Sequence, residues 1–101
     1  MKEAVIVSTA RTPIAKAYRG GFNNLAGASL GAAAVEAAVE RSGIDPNSVD
    51  DVIMGCALTQ GTTGVNIARQ VALRAGLPVT VSGMTLDRQC SSGLMAVATA
   101  A

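Results

Sequence analysis

Histidine is absent from this 101-residue sequence, and aromatic residues are nearly so, with one tyrosine, one phenylalanine and no tryptophan. In any mechanism that needs an imidazole, that group must therefore come from residues outside this sequence. The apolar content, which is 50% of the chain, is almost entirely small or aliphatic. Such a composition is typical of helices that pack closely on a sheet.

Charged residues are also few, at 15% of the chain with a net charge of +1, and the eight basic residues are scattered. This distribution excludes the basic patches of nucleic-acid-binding and membrane-surface proteins. No apolar run approaches the roughly 20 residues of a membrane span, and residues 4–7 are too few for a secretory signal. We therefore expect a cytoplasmic protein with no metal site, since no ligand cluster occurs, and with Cys56 and Cys90 reduced.

The sequence predicts an α/β fold in which strands and helices alternate. The predicted strands cover residues 4–7, 51–54 and 79–86, and the first of these reads as a strand buried on both faces. A long connection over residues 8–27 leads to a helix that starts at Ser29 as its N-cap and ends at Gly43. A turn at residues 45–47, with Asn47 or Ser48 able to cap it, precedes the second strand, and a second helix follows over residues 65–75.

The glycine-rich loop at residues 60–64 lacks the Lys-Ser/Thr and G-x-G-x-x-G patterns of phosphate-binding loops. We interpret it as a structural turn. Arg69 and Arg74, on the following helix, are interpreted as surface or interface charges. Cys56 follows the second strand without a clear helix start after it, and is interpreted as a packing residue.

Cys90 lies where the third strand turns into a third helix. Apolar residues recur at helical spacing after it, at Leu94, Val97, Ala98 and Ala101. Unpaired N–H groups and the positive end of the helix dipole favour a thiolate there, which is the nucleophilic form of cysteine. A small buried packing residue fits the same position equally well. The sequence around Cys90 leaves both interpretations open.

The helix after Cys90 carries no charged side chain, which predicts that it is covered on all sides. A chain this short cannot supply that cover, and its last residues continue a helical pattern without a stop signal. We therefore expect these 101 residues to be the first part of a larger protein, or one piece of a broken chain.

Four segments, in order along the whole chain, resemble N-terminal landmarks of the thiolases, the acetyl-CoA C-acyltransferases and acetyltransferases. They are Ala4-Val5-Ile6-Val7-Ser8 with Arg11-Thr12-Pro13, then Asp51-Val52-Ile53-Met54-Gly55, then Asn66-Ile67-Ala68-Arg69-Gln70, and then Asp87-Arg88-Gln89-Cys90-Ser91-Ser92-Gly93-Leu94.

The resemblance implies a layered α-β-α-β-α fold of two similar halves, with residues 1–101 forming the opening βα units of the first half. It implies that Cys90 is the acyl-accepting nucleophile and that its backbone N–H contributes to an oxyanion hole. Coenzyme A and acyl-CoA would be substrates, with no cofactor bound permanently. The family's histidine, second cysteine and asparagine-held water have no counterpart here, so we expect this chain alone to be inactive.

The same resemblance implies a homodimer or homotetramer with residues 84–86 near the two-fold axis. One departure is Asp87, where the family usually has asparagine, since a carboxylate disfavours a nearby thiolate unless Arg88 or another cation screens it. Other hypotheses are a decarboxylating ketoacyl synthase relative and a non-catalytic thiolase-like acyl-CoA-binding protein. An α/β-hydrolase elbow is excluded because Arg88 and Ser92 stand where it needs glycine, and a caspase-like site lacks its upstream histidine.

Overall fold

Two parallel strands, β1 (Asp51–Gly55) and β2 (Ser82–Leu86), form the sheet of the computed structural model, which describes residues 2–101. Gly55 pairs with Leu86 at the carboxyl end, and the N–H of Cys56 extends the pairing by donating to the Leu86 carbonyl at 2.9 Å. Both strands therefore end at one edge of the sheet. The three helices of the described residues are α1 (Gly27–Ser42), α2 (Ile67–Arg74) and α3 (Ser92–Ala100). The predicted α/β class is confirmed.

Helix α1 ends as predicted and begins earlier than predicted. Gly43 has a φ of 69°, the left-handed conformation that glycine adopts without strain after a helix. At the other end Ala26, not Ser29, is the N-cap, and no side chain caps it. The prediction for Ser29 was wrong because the Ala26 carbonyl already accepts the N–H groups of Ser29 and Leu30, at 3.0 and 3.1 Å.

Helix α2 is shorter than residues 65–75 because its first predicted residues have left-handed backbones. Val65 and Asn66 both have a φ of 53°, which a right-handed helix cannot include. The first turn is capped from the sheet, since the N–H of Ala68 donates to Thr85 Oγ1 at 3.0 Å. Thr85 in turn donates to Asn66 Oδ1 at 2.8 Å.

Two turns flank the strands. The short 3-10 helix Pro46–Ser48 is capped by Asp45, which accepts the Asn47 N–H, and not by Asn47 or Ser48 as predicted. Before β2, the Val81 N–H donates to the Pro78 carbonyl at 3.0 Å. Because that turn uses residues 78–81, β2 begins at Ser82 and not at Val79.

The core lies where α2 packs between α1 and the sheet. The buried apolar residues are Ala32, Ile67, Ala68, Val71, Ala72, Leu77, Val81 and Ala96. Gly31 allows the close approach of α1, because a Cβ atom there would lie 2.7 Å from Val71 Cγ2. Half of this core is alanine, so backbones approach closely where larger side chains would hold them apart.

Residues 4–7 do not form the predicted buried strand. They form no strand, and Val5, Ile6 and Val7 are all exposed. A strand needs a hydrogen-bonded neighbour, and within the described residues β1 pairs only with β2. Just after the segment, Arg41 Nη1 donates to the Thr9 carbonyl at 3.0 Å.

Helix α3 packs mainly on β1, with Ala96 buried, while Leu94 remains 76% exposed. The described residues therefore cover one side of an apolar helix, in agreement with the expectation that cover must come from elsewhere. No helix within residues 2–101 combines the length and apolarity needed to cross a membrane.

Candidate functional site around Cys90

Cys90 lies in the turn that joins the carboxyl end of β2 to the start of α3. It is an exposed free cysteine. Within residues 2–101 no packed side chains bury Cys90, so these residues supply no packing role for it. A thiol here is accessible to a substrate.

The turn at residues 87–92 is closed by paired backbone and side-chain hydrogen bonds. Asp87 Oδ1 accepts the N–H of Gln89 at 2.8 Å, and Ser92 Oγ accepts the N–H of Arg88 at 2.7 Å. The carbonyls of Arg88 and Gln89 accept the N–H groups of Ser91 and Ser92, at 3.2 and 3.1 Å. Gln89 has a φ of 51°, so the turn holds a non-glycine residue in the left-handed region.

Three N–H groups at this helix start remain open. None of the hydrogen bonds among residues 2–101 has the N–H of Cys90, Gly93 or Leu94 as its donor. Unpaired donors at a helix N-terminus stabilise a negative charge placed against them. The turn can therefore stabilise both a thiolate and an oxyanion formed next to it.

The two charged residues just before Cys90, Asp87 and Arg88, make hydrogen bonds to other parts of the chain and not to each other. The Asp87 carboxylate accepts the Gln89 N–H, and Arg88 Nη1 lies 3.6 Å from Met95 Sδ on α3. Arg88 thus lies along the helix, and its side chain makes no hydrogen bond to Asp87.

Two depressions lie on the described residues, one beside the Cys90 turn and one toward the amino end of β1 and the carboxyl end of α3. One, of about 410 Å³, is lined by Asp87 together with Thr59, Thr63, Asn66, Gly83, Met84 and Thr85. The other, of about 630 Å³, is more apolar and lies between residues 4–6, β1 and α3. The first is of the size at which small-molecule sites begin, and it adjoins the Cys90 turn through Asp87.

The other candidate residues have structural contacts. Cys56 is half-buried, and its Sγ donates to the Leu58 carbonyl at 3.2 Å. Gln70, on α2, holds the end of the glycine-rich loop, because its Nε2 donates to the carbonyls of Gly64 and Val65 at 2.7 and 2.8 Å. These bonds agree with the interpretation of the loop as a structural turn.

Arg69 was predicted to be a surface or interface charge, and the structure shows it half-buried with a structural role in addition. Its guanidinium donates to the carbonyl of Val79, at 3.0 Å, and to that of Val81. It therefore fixes the segment before β2. Arg74, on the same helix, is exposed as expected.

Sequence reasoning missed Ser92, whose hydroxyl lies at the centre of the turn. No local signal marks it, because serine near a helix start is ordinary. Its burial appears only when Gly55 of β1 packs on the backbone of Ser92. Within residues 2–101 no group of three or more His, Cys, Asp or Glu side chains is placed to hold a metal ion.

Residues 4–101 match the family model described as "Thiolase, N-terminal domain". The chain is 46% identical to the 3-ketoacyl-CoA thiolase of Bacillus subtilis and 48% identical to an acetyl-CoA acetyltransferase of Cupriavidus necator, each over 101 residues and 100% of this chain. It covers 26% and 25% of those two proteins.

A solved structure gives the same result for the fold. The crystal structure of the Bacillus anthracis acetyl-CoA acetyltransferase superimposes on 95% of this chain with a TM-score of 0.86 and 42% sequence identity. The match covers 24% of that protein. This chain thus spans about a quarter of the length of the relatives it resembles.

Proposed function

Because the chain belongs to the thiolase family, we propose that it supplies the nucleophile of a coenzyme A-dependent acyltransferase. The reaction is cleavage of a 3-ketoacyl-CoA by coenzyme A, or the reverse condensation of acetyl-CoA. Residues 1–101 act as the opening part of the N-terminal domain, which a longer C-terminal part of the same protein completes. The match over residues 4–101 supports a thiolase over a ketoacyl synthase.

Cys90 carries the proposal, because an exposed thiol beside open N–H groups at a helix start is what covalent acyl transfer needs. In cleavage, Cys90 Sγ attacks the C3 carbonyl carbon of the 3-ketoacyl-CoA and forms a carbon–sulfur bond. The bond between C2 and C3 then breaks, and its electron pair leaves with C2. A proton from a donor outside residues 1–101 gives acetyl-CoA.

The second half of the reaction regenerates the free enzyme. The thiolate of coenzyme A attacks the acyl-cysteine carbonyl, the Cys90 carbon–sulfur bond breaks, and Cys90 leaves as a thiolate. Each addition places a negative charge on the former carbonyl oxygen. The open N–H of Cys90 is the donor that we assign to that oxyanion.

The proton transfers require groups that this chain does not contain. The sequence has no histidine, and Cys56 is bonded to the Leu58 carbonyl after β1. Residues 1–101 are therefore inactive alone. Coenzyme A acts as a substrate, with no permanently bound cofactor, and the proposed setting of the reaction is fatty acid metabolism in the cytoplasm.

Two cysteine variants of the complete protein test the nucleophile. Cys90→Ser should abolish 3-ketoacyl-CoA cleavage and the acyl adduct seen by mass spectrometry after mixing with substrate. Cys56→Ser should retain both. Cleavage by Cys90→Ser at the wild-type rate, or an adduct on Cys56, would contradict the proposal, and a protein that binds acyl-CoA without any adduct would instead be a non-catalytic relative.

The assembly is a homodimer or homotetramer with residues 84–86 in the interface. Within the described residues β2 pairs only with β1, so its other edge is open, and Met84 is 38% exposed. Met84→Asp should reduce the oligomer mass in size-exclusion chromatography. An unchanged mass would argue against this interface.

A further inference from the structure

Ser92 is the buried polar residue of the described chain, with 4% of its surface exposed. Its hydroxyl makes two hydrogen bonds to the backbone on the N-terminal side of Cys90. Oγ accepts the N–H of Arg88 at 2.7 Å and donates to the Gln89 carbonyl at 2.6 Å. Water cannot readily replace either bond, because the group is buried.

These bonds determine which backbone donor of the turn stays open. The N–H groups of Arg88 and Gln89 go to Ser92 Oγ and Asp87 Oδ1, and those of Ser91 and Ser92 go to backbone carbonyls. Among residues 88–92, only the N–H of Cys90 is left without an acceptor.

The hydroxyl also holds a backbone conformation that the chain does not favour. Gln89 has a φ of 51°, and a non-glycine residue stays in that region only when its surroundings fix it. Ser92 Oγ bonds the N–H of Arg88, the preceding residue, and the carbonyl of Gln89 itself. Loss of the hydroxyl would leave the buried side of this turn free to relax.

We propose that Ser92 is a positioning residue for acyl transfer, which fixes the Cys90 sulfur and its backbone N–H at the helix start. This inference rests on the proposed function of Cys90. Ser92 acts through the backbone of the turn and does not touch the substrate. Its removal therefore lowers the rate of the chemical step more than it changes substrate affinity.

Ser91 provides a matched control. Its hydroxyl also bonds within the turn, since Oγ donates to the Arg88 carbonyl at 2.9 Å. That carbonyl keeps the Ser91 N–H as a second partner, and Ser91 is exposed, so water can replace the lost bond. Ser91→Ala and Ser92→Ala remove the same atom from neighbouring residues with different consequences for the turn.

The test uses Ser92→Ala, Ser92→Thr and Ser91→Ala in the complete protein. In 3-ketoacyl-CoA cleavage, Ser92→Ala should lower kcat by roughly 10- to 100-fold with little change in KM, because the interaction acts in the chemical step. Ser92→Thr should restore most of kcat, and Ser91→Ala should resemble the wild type. Equal kcat values for Ser92→Ala and Ser91→Ala would overturn the inference, as would a lowered Tm with unchanged kcat.

A second pair covers the case in which Ser92→Ala is too unstable to purify. Ser92→Thr and Ser92→Val have nearly the same shape and differ in the hydroxyl alone. The proposal requires Ser92→Val to be slower than Ser92→Thr in kcat, and equal rates overturn it.

A readout without catalysis separates this inference from the proposed function. In a Cys56→Ser background, the rate of iodoacetamide alkylation of Cys90 in the native protein is compared between Ser92→Ala and Ser91→Ala. A difference between the two supports positioning by Ser92 even in a protein that cleaves no 3-ketoacyl-CoA. Equal alkylation rates reject it, whatever the kcat values.

Discussion

Gly55 and Ser92 are in direct backbone contact, since a Cβ atom at Gly55 would overlap the carbonyl group of Ser92. Gly55 is the last residue of β1, and Ser92 is the first residue of α3. The contact lets the end of the strand touch the helix start without a side chain between them. It therefore sets the position of the Cys90 turn relative to the sheet.

Gly55→Ala should push the start of α3 away from β1. Because the overlapping atoms are backbone, they cannot move aside as a flexible side chain would, and such overpacking costs about 1–3 kcal/mol. We expect that loss in the free energy of unfolding in urea, together with slower alkylation of Cys90. Gly21→Ala is the control, because a Cβ atom at Gly21 meets nothing within 4 Å. Equal stability of the two variants would contradict the prediction.

Thr85→Val should destabilise the start of α2 while preserving the shape of the side chain. The change leaves the Ala68 N–H without an acceptor and Asn66 Oδ1 without a donor. An unsatisfied, partly buried group of this kind costs about 1–3 kcal/mol, measurable as a shift of the urea midpoint. Thr85→Ser keeps the hydroxyl and should remain close to the wild type. If both variants lose the same stability, the methyl group and not the hydroxyl is responsible.

The elements that sequence patterns predicted correctly are set by local features. Gly43 ends α1 because a left-handed residue is needed there. The strands β1 and β2 overlap the segments that were predicted as strands from their apolar residues. The α/β class and the place of Cys90 between β2 and α3 follow from the same patterns.

The features that were missed depend on contacts between residues distant in the sequence. Arg69 bonds the carbonyls of Val79 and Val81, and the α2 start is capped by Thr85, 17 residues away. The prediction of a strand at residues 4–7 was wrong for a related reason. An apolar pattern does not show whether a neighbouring strand is present among the described residues to pair with it. Hydrophobic periodicity shows which residues are apolar, but it does not show which residues they contact in the folded chain.

Asp87→Asn should speed the alkylation of Cys90 at neutral pH. An asparagine Oδ1 can accept the Gln89 N–H as Asp87 Oδ1 does, at 2.8 Å, so the turn is kept while a negative charge is removed. Removing a like charge near the reactive sulfur should raise the alkylation rate by about 2- to 10-fold at low salt. The measurement uses iodoacetamide in a Cys56→Ser background.

Two controls separate charge from turn geometry. Asp51→Asn removes a charge at the opposite end of β1, about 13 Å along the strand from Gly55, which exceeds the Debye length of about 8 Å at physiological salt. It should leave the rate unchanged. Asp87→Ala loses both the charge and the hydrogen bond. A slower rate in Asp87→Asn than in the wild type would show that the carboxylate itself is needed.

Asp45 should titrate below its ordinary pKa. The Asn47 backbone N–H is the larger cause and the Asn47 side-chain amide the second, each donating to Oδ1 at 2.9 Å, which lowers the pKa of this exposed carboxyl. Because the folded pKa is depressed, the stability that Asp45 contributes is present above the unfolded value of about 3.9. It is lost as pH falls through the folded pKa. Asn47→Ala removes only the smaller cause, so the Asp45 pKa measured by NMR titration should rise part of the way. A rise to the unfolded value would instead make the side-chain amide the main cause.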